Sequence, residues 1–199
     1  MQQLLADQHV AAVGLAASQI NSDVEERMSS LQALAQSLTP AFVADASALQ
    51  ADLERRTVVK RLFNRGVFVT NAAGTAIASS PVSAGLTGLN FMDKEHVVTA
   101  LQQGKAHISP PLIGKTPGAP VIVMAVPILD AQDIVIGAMM GVTDLGQPNF
   151  LDKVADNRIG NTGELVLVAP KYRQIIAAGD KRRMMEPLPP PGKDPLIDR

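Results

Sequence analysis

The chain has 199 residues, with 18 Lys and Arg against 19 Asp and Glu, and a net charge of −1. The balanced charge and an apolar content of 46% exclude a chain that is disordered throughout. With no basic excess, no Trp and one Tyr, the composition argues against nucleic-acid binding. The absence of Cys excludes disulfides, zinc–thiolate sites and thiol nucleophiles, and it suits an oxidising compartment.

The length predicts one domain, or one domain plus part of another. The longest apolar run, from Val121 to Leu129, is far shorter than the run of about 20 residues that spans a membrane. The first residues lack the basic residues and the apolar stretch of a signal peptide. We therefore expect the chain as given to be soluble, whether it is a separate protein or a piece of a membrane protein.

A long helix is predicted over the first forty residues, and Pro40 is expected to end it. Its apolar residues recur at steps of three and four and share one stripe: Ile20, Val24, Met28, Leu31, Leu34, Ala35 and Leu38. Two alternatives stay open for the partner of this stripe, either the body of the domain or a second copy of the chain in a dimer. Both can hold along different parts of the helix.

A second helix is predicted over 47–63, with Ser47 as its N-cap. The apolar pattern then changes to the period of a strand. It predicts a hairpin of strands 67–70 and 75–79, joined by a turn at 71–74.

A short helix is predicted from Asp93 to Gln103, with Asp93 as its cap and Gly104 just after its end. A short strand is predicted at 107–109, and a loop rich in Pro and Gly follows at 110–120.

Two long strands, Val121 to Leu129 and Ile134 to Thr143, flank a tight turn at 130–133. Both are nearly continuous in apolar residues, so we expect either that both faces of their sheet are covered or that the two strands lie at the sheet centre. Pro127 cannot donate a ladder hydrogen bond and therefore marks a bulge or an edge position.

The pattern begins again with a short helix over 150–157 and a glycine-rich stretch at 158–163. Strands are predicted at 164–168 and 174–178, before a Pro-rich tail that includes Pro195. Two strands do not make a stable sheet alone. They either join the first sheet or belong to a second unit that the chain contains only in part.

Five stretches together resemble, in order and spacing, the Cache family, the ligand-sensing extracytoplasmic domains of bacterial receptors. They run over 67–74, 90–96, 104–110, 118–128 and 136–145. A further stretch, 158–165, resembles the start of the second subdomain of double-Cache modules.

The resemblance implies an α+β fold, with a PAS-like antiparallel sheet flanked by helices. It implies a long N-terminal signalling or dimerisation helix over 1–45, a membrane-distal ligand-sensing subdomain over 46–147, and an incomplete membrane-proximal subdomain over 148–199. The chain would be the periplasmic part of an inner-membrane receptor, attached to the membrane only through segments outside it. The output would be a histidine kinase, a diguanylate cyclase or a chemotaxis transducer.

In the family, the ligand lies between the sheet and the short helix, whose start usually reads Asp-Arg with an aromatic residue two places after the Arg. The matching positions here are Asp93, Lys94 and His96. His107 replaces an aromatic residue common before the following strand, and Asp144 matches a carboxylate that takes the ammonium of amino-acid ligands. Lys keeps the positive charge of Arg but loses its bidentate fork.

The residues predicted to bind a ligand are Lys94, His96, His107, Ser109, Met124 and Asp144. The apparent loss of the aromatic cage disfavours an amino acid, while one Lys and two His favour a small anion such as a short carboxylate. Each residue also has a structural alternative: a solvated Lys94, hydrogen-bonded histidines, a core Met124, and an Asp144 that caps the turn at Gly146. No metal or other cofactor is expected, because the three His lack a clustered carboxylate partner.

The sequence contains no nucleophile elbow, phosphate loop or zinc-protease motif, so we expect no catalytic activity from this chain. Two functions remain: a sensor of a small-molecule ligand, or a structural dimerisation ectodomain without a ligand. In a sensor, ligand binding is expected to close the short helix and the Pro-rich loop over the sheet. Closure must favour one of two arrangements of the long helices if a signal is to be sent.

Overall fold

The computed structural model describes residues 2–115, 118–155, 158, 159 and 163–193. In this part of the chain an antiparallel sheet is flanked by helices, so the predicted α+β class is confirmed. The helices are α1 (Gln2–Gln36), α2 (Pro40–Ala44), α3 (Ala46–Arg55), α4 (Thr57–Leu62), α5 (Glu95–Gln103) and α6 (Asp152–Ala155). The strands are β1 (Val67–Asn71), β2 (Ala76–Ser80), β3 (His107–Ile108), β4 (Leu112–Ile113), β5 (Pro120–Leu129), β6 (Val135–Asp144), β7 (Arg158–Ile159), β8 (Gly163–Glu164), β9 (Leu167–Ala169) and β10 (Gln174–Ala177). None of these helices is long and apolar enough to cross a membrane.

The main sheet has six strands in the order β2–β1–β6–β5–β3, and β4 also pairs with β5. The hairpin of β5 and β6 forms its centre, with a register that runs from Val121 opposite Asp144 to Leu129 opposite Val135. Nearly all of β6 is buried, on both faces, so each face of the sheet must be covered. Both predicted hairpins and the central position of the two long strands are confirmed.

One face of the sheet packs against α1, α3 and α4. Leu31 and Ala35 of α1, and Leu38 just after its end, belong to the predicted stripe and are buried on this face. The same core contains Leu49, Leu53, Val59, Phe63, Val69, Met124, Val126, Ile128 and Met139. The first alternative for the stripe, packing against the body of the domain, is therefore confirmed for this part of α1.

The segment between α1 and the sheet differs from the prediction of one helix over 47–63. The helix is divided into α3 and α4, because Arg56 leaves the helical conformation (φ −80°, ψ 86°). Asp45, and not Ser47, caps α3. The Asp45 carboxylate accepts hydrogen bonds from the backbone N–H groups of Ser47 and Ala48 at 3.1 and 2.9 Å. A carboxylate is favoured there because the exposed N–H groups make this helix end electropositive.

Pro40 does not end α1 as predicted. The helix already ends at Gln36, and Pro40 is the first residue of α2. The Thr39 hydroxyl caps α2 by accepting a hydrogen bond from the N–H of Phe42 at 3.3 Å. Proline is tolerated at the first position of a helix, because an N–H there would have no helical partner.

The other face of the sheet packs against α5, through the buried Val97, Ala100 and Leu101. Gly104 follows α5 in the left-handed conformation (φ 62°), as predicted for a glycine after a helix end. The predicted cap at Asp93 is wrong. The helix begins one residue too late for it, so Lys94 occupies the cap position and the Asp93 carboxylate pairs with lysines instead.

Pro127 lies within β5, opposite Ala138 of β6. On the other side of β5, β3 reaches only Met124 and Ala125, so no described strand needs an N–H from Pro127. A bulge follows between Ile128 and Leu129. The expected association of this proline with an edge and a bulge is confirmed.

The C-terminal strands do not join the main sheet: β9 and β10 form a sheet of their own, and β7 pairs with β8. The predicted strand over 164–168 is wrong in its bounds, because residues 165 and 166 separate β8 from β9. The end of the helix predicted over 150–157, part of the glycine-rich stretch, and Pro195 lie outside the described residues. The division of the chain into subdomains stays a prediction.

Gly141 allows the closest approach of β6 to the helical layer. A Cβ atom at this position would overlap the ring of Phe63, a core residue that is 1% exposed. We expect Gly141→Ala to lower the free energy of unfolding by about 1–3 kcal/mol, the usual cost of overpacking a core. The measurement is urea-induced unfolding at neutral pH.

The matched control is Gly14→Ala in α1, where an added Cβ meets nothing within 4 Å. This change should raise the stability by up to about 1 kcal/mol, because alanine is the better helix former. A Gly141→Ala protein as stable as the unmodified chain would contradict the packing assigned to Phe63.

Candidate ligand-binding site

A cavity of about 40 Å³ lies between the start of α5 and the sheet, where the family resemblance implies a ligand. It has room for roughly three water molecules, which matches a very small organic ligand. Its other walls come from the segment before α5 and from the loop that carries β4. The apolar side chains that line it are Phe68, Ala84, Leu86, Phe91, Leu112, Val121, Val123 and Val142.

The register of the sheet explains which strand residues face the cavity. Side chains alternate between the faces of a strand, so Val121 and Val123 of β5 point the same way. Val142 of β6 is the register partner of Val123 and lies on the same face. Met124 follows Val123 in β5 and therefore points to the α1 side, where it is 2% exposed in the core.

Two aromatic rings form part of the wall, although the sequence indicated that the aromatic cage is missing. The rings of Phe68 and Phe91 lie 4.7 Å apart between centroids and are tilted by 37°. Phe68 comes from β1, and Phe91 comes from the segment before α5. These positions differ from those of His96 and His107, where the family resemblance implies aromatic residues.

Lys94, one of the residues predicted to bind a ligand, lines the cavity. Lys115 of the β4–β5 loop also lines it. The Asp93 carboxylate binds both lysines, at 2.8 Å from the Nζ of Lys115 and 3.2 Å from the Nζ of Lys94. Lys115 also donates a hydrogen bond to the carbonyl oxygen of Asn90 at 2.6 Å, and its Nζ lies 4.8 Å from the centroid of Phe91. The sequence analysis missed Lys115, although it placed a closing loop at 110–120.

Arg65, a further cation missed from sequence, also lines the cavity. Its Nη1 lies 2.6 Å from Oδ2 of Asp144, in a pair whose side chains are 17% and 10% exposed. The other oxygen of Asp144 accepts a hydrogen bond from the N–H of Gly146 at 2.9 Å. Asp144 itself lies behind Arg65 and is not part of the described cavity wall.

Asn64 fixes the backbone beside this ion pair. Its amide oxygen accepts a hydrogen bond from the N–H of Asp144 at 2.7 Å, and its amide nitrogen donates to the carbonyl oxygens of Asp144 and Pro148 at 3.0 and 2.9 Å. Asn64 therefore fixes the end of β6 next to the Asp144 carboxylate, which pairs with Arg65.

His96 lies in the first turn of α5, lines the cavity, and is 3% exposed. Burial lowers the pKa of His96 to about 4 from its ordinary value of 6.5. The positive charges of His107 and Lys94 lower this pKa further, and Asp93 opposes them. His96 is thus a neutral group at neutral pH, able to donate or accept a hydrogen bond but not to supply charge.

The remaining predicted residues lie outside the cavity wall. His107 is opposite Ala125 in the sheet, and its Nε2 is buried without a hydrogen-bond partner among the described residues. The Ser109 hydroxyl donates to the carbonyl oxygen of Pro110 at 2.8 Å and accepts from the N–H of Val123 at 2.9 Å. Ser109 and Met124 instead line a separate apolar cavity of about 220 Å³ beside α1.

No group of three or more His, Asp or Glu side chains is arranged to hold a metal ion in the part of the chain that the structure describes.

The cavity combines an apolar interior, a neutral histidine and a rim of cations.

Three solved structures share this fold. The ligand-binding domain of the chemoreceptor CtaA from Pseudomonas fluorescens, in complex with L-serine, has a TM-score of 0.74 at 18% identity, covering 94% of this chain and 78% of that one. The sensor domain of the histidine kinase DctB from V. cholerae has a TM-score of 0.74 at 15% identity, covering 95% and 73%. An extracellular ligand-binding receptor from Desulfohalobium retbaense has a TM-score of 0.73 at 18% identity, covering 90% of this chain but only 32% of its own length.

At these identities the likeness establishes the fold, a PAS-like sheet flanked by helices. No protein among the curated sequences matches the chain. The model of the Cache domain matches residues 1–192. Cache domains are extracytoplasmic ligand-binding modules of chemoreceptors and histidine kinases, and they are not catalytic. By this match over nearly its whole length, the chain belongs to the Cache domain family.

Proposed function

We propose that this chain is the ligand-sensing part of a bacterial membrane receptor and that it binds a small organic anion, such as a short carboxylate. The observation that carries the proposal is the set of cations around the apolar cavity: Arg65, Lys94 and Lys115 line it, and no carboxylate does so among the described residues. Hydrogen bonds between an ammonium or guanidinium group and a carboxylate are the strong ones in proteins.

The charge balance at the cavity favours an anion. Two lysines share the single carboxylate of Asp93, which leaves one net positive charge at this edge. Arg65 is balanced by Asp144 and adds no net charge. His96 is neutral, so the attraction for an anion comes from the lysines.

An amino acid is the second candidate ligand, because the chemoreceptor CtaA shares the fold and was solved with L-serine. An ammonium group needs an acceptor at the cavity. The Asp144 carboxylate, which the sequence resemblance assigns to this task, lies behind the wall and already binds Arg65 and the N–H of Gly146. An amino acid that used this acceptor would have to displace Arg65, whereas a simple carboxylate has no ammonium group that needs one.

The proposed signal passes through the sheet to α1. Val123 faces the cavity, while the next residue, Met124, packs in the core beneath α1. A ligand that moves α5 and the β4–β5 loop against β5 therefore acts on a strand whose other face contacts α1. The parent receptor would carry the output domain, which lies outside this chain.

A structural role without a ligand remains the alternative function. Its support is the exposure of apolar residues near the start of α1, where Val10, Val13 and Leu15 are 72%, 46% and 76% exposed. This part of the helix is where we propose that a second copy would pair.

Titration calorimetry with a panel of short organic acids, amines, amino acids and sugars tests the ligand class. We expect heat from one or more acids, and at least tenfold weaker binding in Lys94→Met and Lys115→Met, since a charge-assisted hydrogen bond contributes about 1.5–3 kcal/mol. Lys105→Met is the matched control, because Lys105 is exposed and does not line the cavity. Heat from amines or sugars alone would refute the anion proposal.

If the panel gives no heat and no ligand raises the melting temperature, the structural alternative gains support, because a ligand that binds only the folded state must stabilise it. A stable dimer in light scattering would then complete that case.

The neutral state of His96 predicts a specific dependence of stability on pH. The unfolded chain takes up the proton near the ordinary pKa of 6.5, whereas the folded chain does so only near about 4. Stability from this group is therefore complete above the higher pKa and falls as the pH is lowered between the two. From about pH 7 to about pH 5 the loss should be about 2 kcal/mol.

Urea unfolding at both pH values, in the unmodified protein and in His96→Gln, measures this loss. The variant should lack this component of the pH dependence, since glutamine does not titrate. An unchanged pH dependence in His96→Gln would show that His96 is not held neutral.

A further inference from the structure

The Asp93 carboxylate bridges two lysines that belong to different parts of the fold. Lys94 is at the start of α5, and Lys115 is in the loop between β4 and β5. One oxygen of Asp93 lies 2.8 Å from Lys115 and the other lies 3.2 Å from Lys94. Both lysines line the cavity, whereas Asp93 approaches them from the solvent side, where its side chain is 53% exposed.

We propose that Asp93 holds the two lysines in place of the ligand's carboxylate, so that it determines how tightly the cavity binds an anion. This inference rests on the proposed function. A carboxylate bound in the cavity would meet the same two ammonium groups from the inside, and it would have to share them with Asp93 or displace it.

The lysines can bind a ligand while Asp93 is in place. An ammonium group has three donors. Lys115 uses one for Asp93 and one for the carbonyl oxygen of Asn90, and it keeps the third. Lys94 has Asp93 as its ion-pair partner and keeps donors for a ligand. A carboxylate in the cavity would therefore share the lysines with Asp93, and the competition is electrostatic, because the two negative charges repel each other.

Lys115 keeps its place when Asp93 is removed, because other groups hold it. The carbonyl oxygen of Asn90 accepts its hydrogen bond at 2.6 Å, and the ring of Phe91 lies 4.8 Å from its Nζ. Loss of Asp93 should thus free the lysines for a ligand and should not remove them from the cavity wall.

Asp93 is charged at neutral pH and is therefore a true competitor. The hydrogen bonds from Lys115, and to a smaller extent from Lys94, hold the pKa of Asp93 below its usual range. Its exposure keeps the pairing weak, because water and salt screen an exposed ion pair. A ligand shielded from water in the cavity gains more from the same lysines.

The test is Asp93→Asn, which removes the charge and keeps the shape of the side chain. Acetate is the probe, titrated at constant ionic strength and followed by NMR chemical shifts of cavity residues, which detect weak binding. We expect acetate to bind at least fivefold more tightly to Asp93→Asn than to the unmodified protein. Asp93→Glu, which retains the carboxylate, should bind acetate within about twofold of the unmodified protein, a difference of RT ln 2.

Asp133→Asn is the matched control for net charge. Asp133 is exposed in the β5–β6 turn and has a positive φ of 60°, which asparagine also adopts. It should leave acetate binding unchanged, so a gain in both variants would reveal a general charge effect and overturn the inference.

The outcomes separate the inference from the proposed function. If acetate binds the unmodified protein but binds Asp93→Asn equally or more weakly, Asp93 positions the lysines and does not compete; the inference fails and the anion site stands. If neither protein binds acetate nor any other acid of the panel, the proposed function fails and the inference fails with it.

Discussion

The fold depends on one constraint, which is that the hairpin of β5 and β6 is apolar on both faces and must be covered on both. α1, α3 and α4 pack on the first face. On the second face α5 has only nine residues, which span about 14 Å, while a strand of ten residues spans about 33 Å. The uncovered part of this face is closed by the segment before α5 and by the β4–β5 loop. The cavity is the space that these irregular segments leave, so the candidate site follows from the shortness of one helix.

The same constraint explains where the charges lie. A lysine buried at the base of such a cavity would pay a large desolvation cost without a partner. Lys94 and Lys115 instead lie at its rim, where their side chains are each 29% exposed and their apolar stems still contact the wall. The buried Val121, Val123 and Val142 line the interior, and the buried His96 stays neutral. In the proposed site, an anion would meet the cations at the rim and would be shielded from water by the apolar interior.

The sequence predicted the parts of the fold that depend on local pattern. The apolar runs identified the central hairpin, and Gly104 marked the end of α5. Lys94 and His96 were found because both belong to the recognisable start of that helix. Arg65, Phe68 and Lys115 were missed because they reach the cavity from two segments that are distant in sequence, one at β1 and one after β4, and no local pattern records that convergence. Met124 was assigned to the site for a related reason. A continuous apolar run does not show which of two neighbouring residues faces the ligand until the register with β6 is known.

The break at Arg56 depends likewise on packing, which draws Val59 and Phe63 into the core between α1 and the sheet.

Asn64 gives this arrangement a mechanical property. Its single amide group ties together the end of β6 and the carbonyl oxygen of Pro148, and the next residue is the cavity-lining Arg65. Through these hydrogen bonds, one side chain holds the cavity wall and the start of the C-terminal region together. In the proposed sensor, a displacement of Arg65 would reach residues 149–155 through this asparagine without crossing the sheet. A ligand-driven movement at the cavity would then have two routes, one through the sheet to α1 and a shorter one through Asn64.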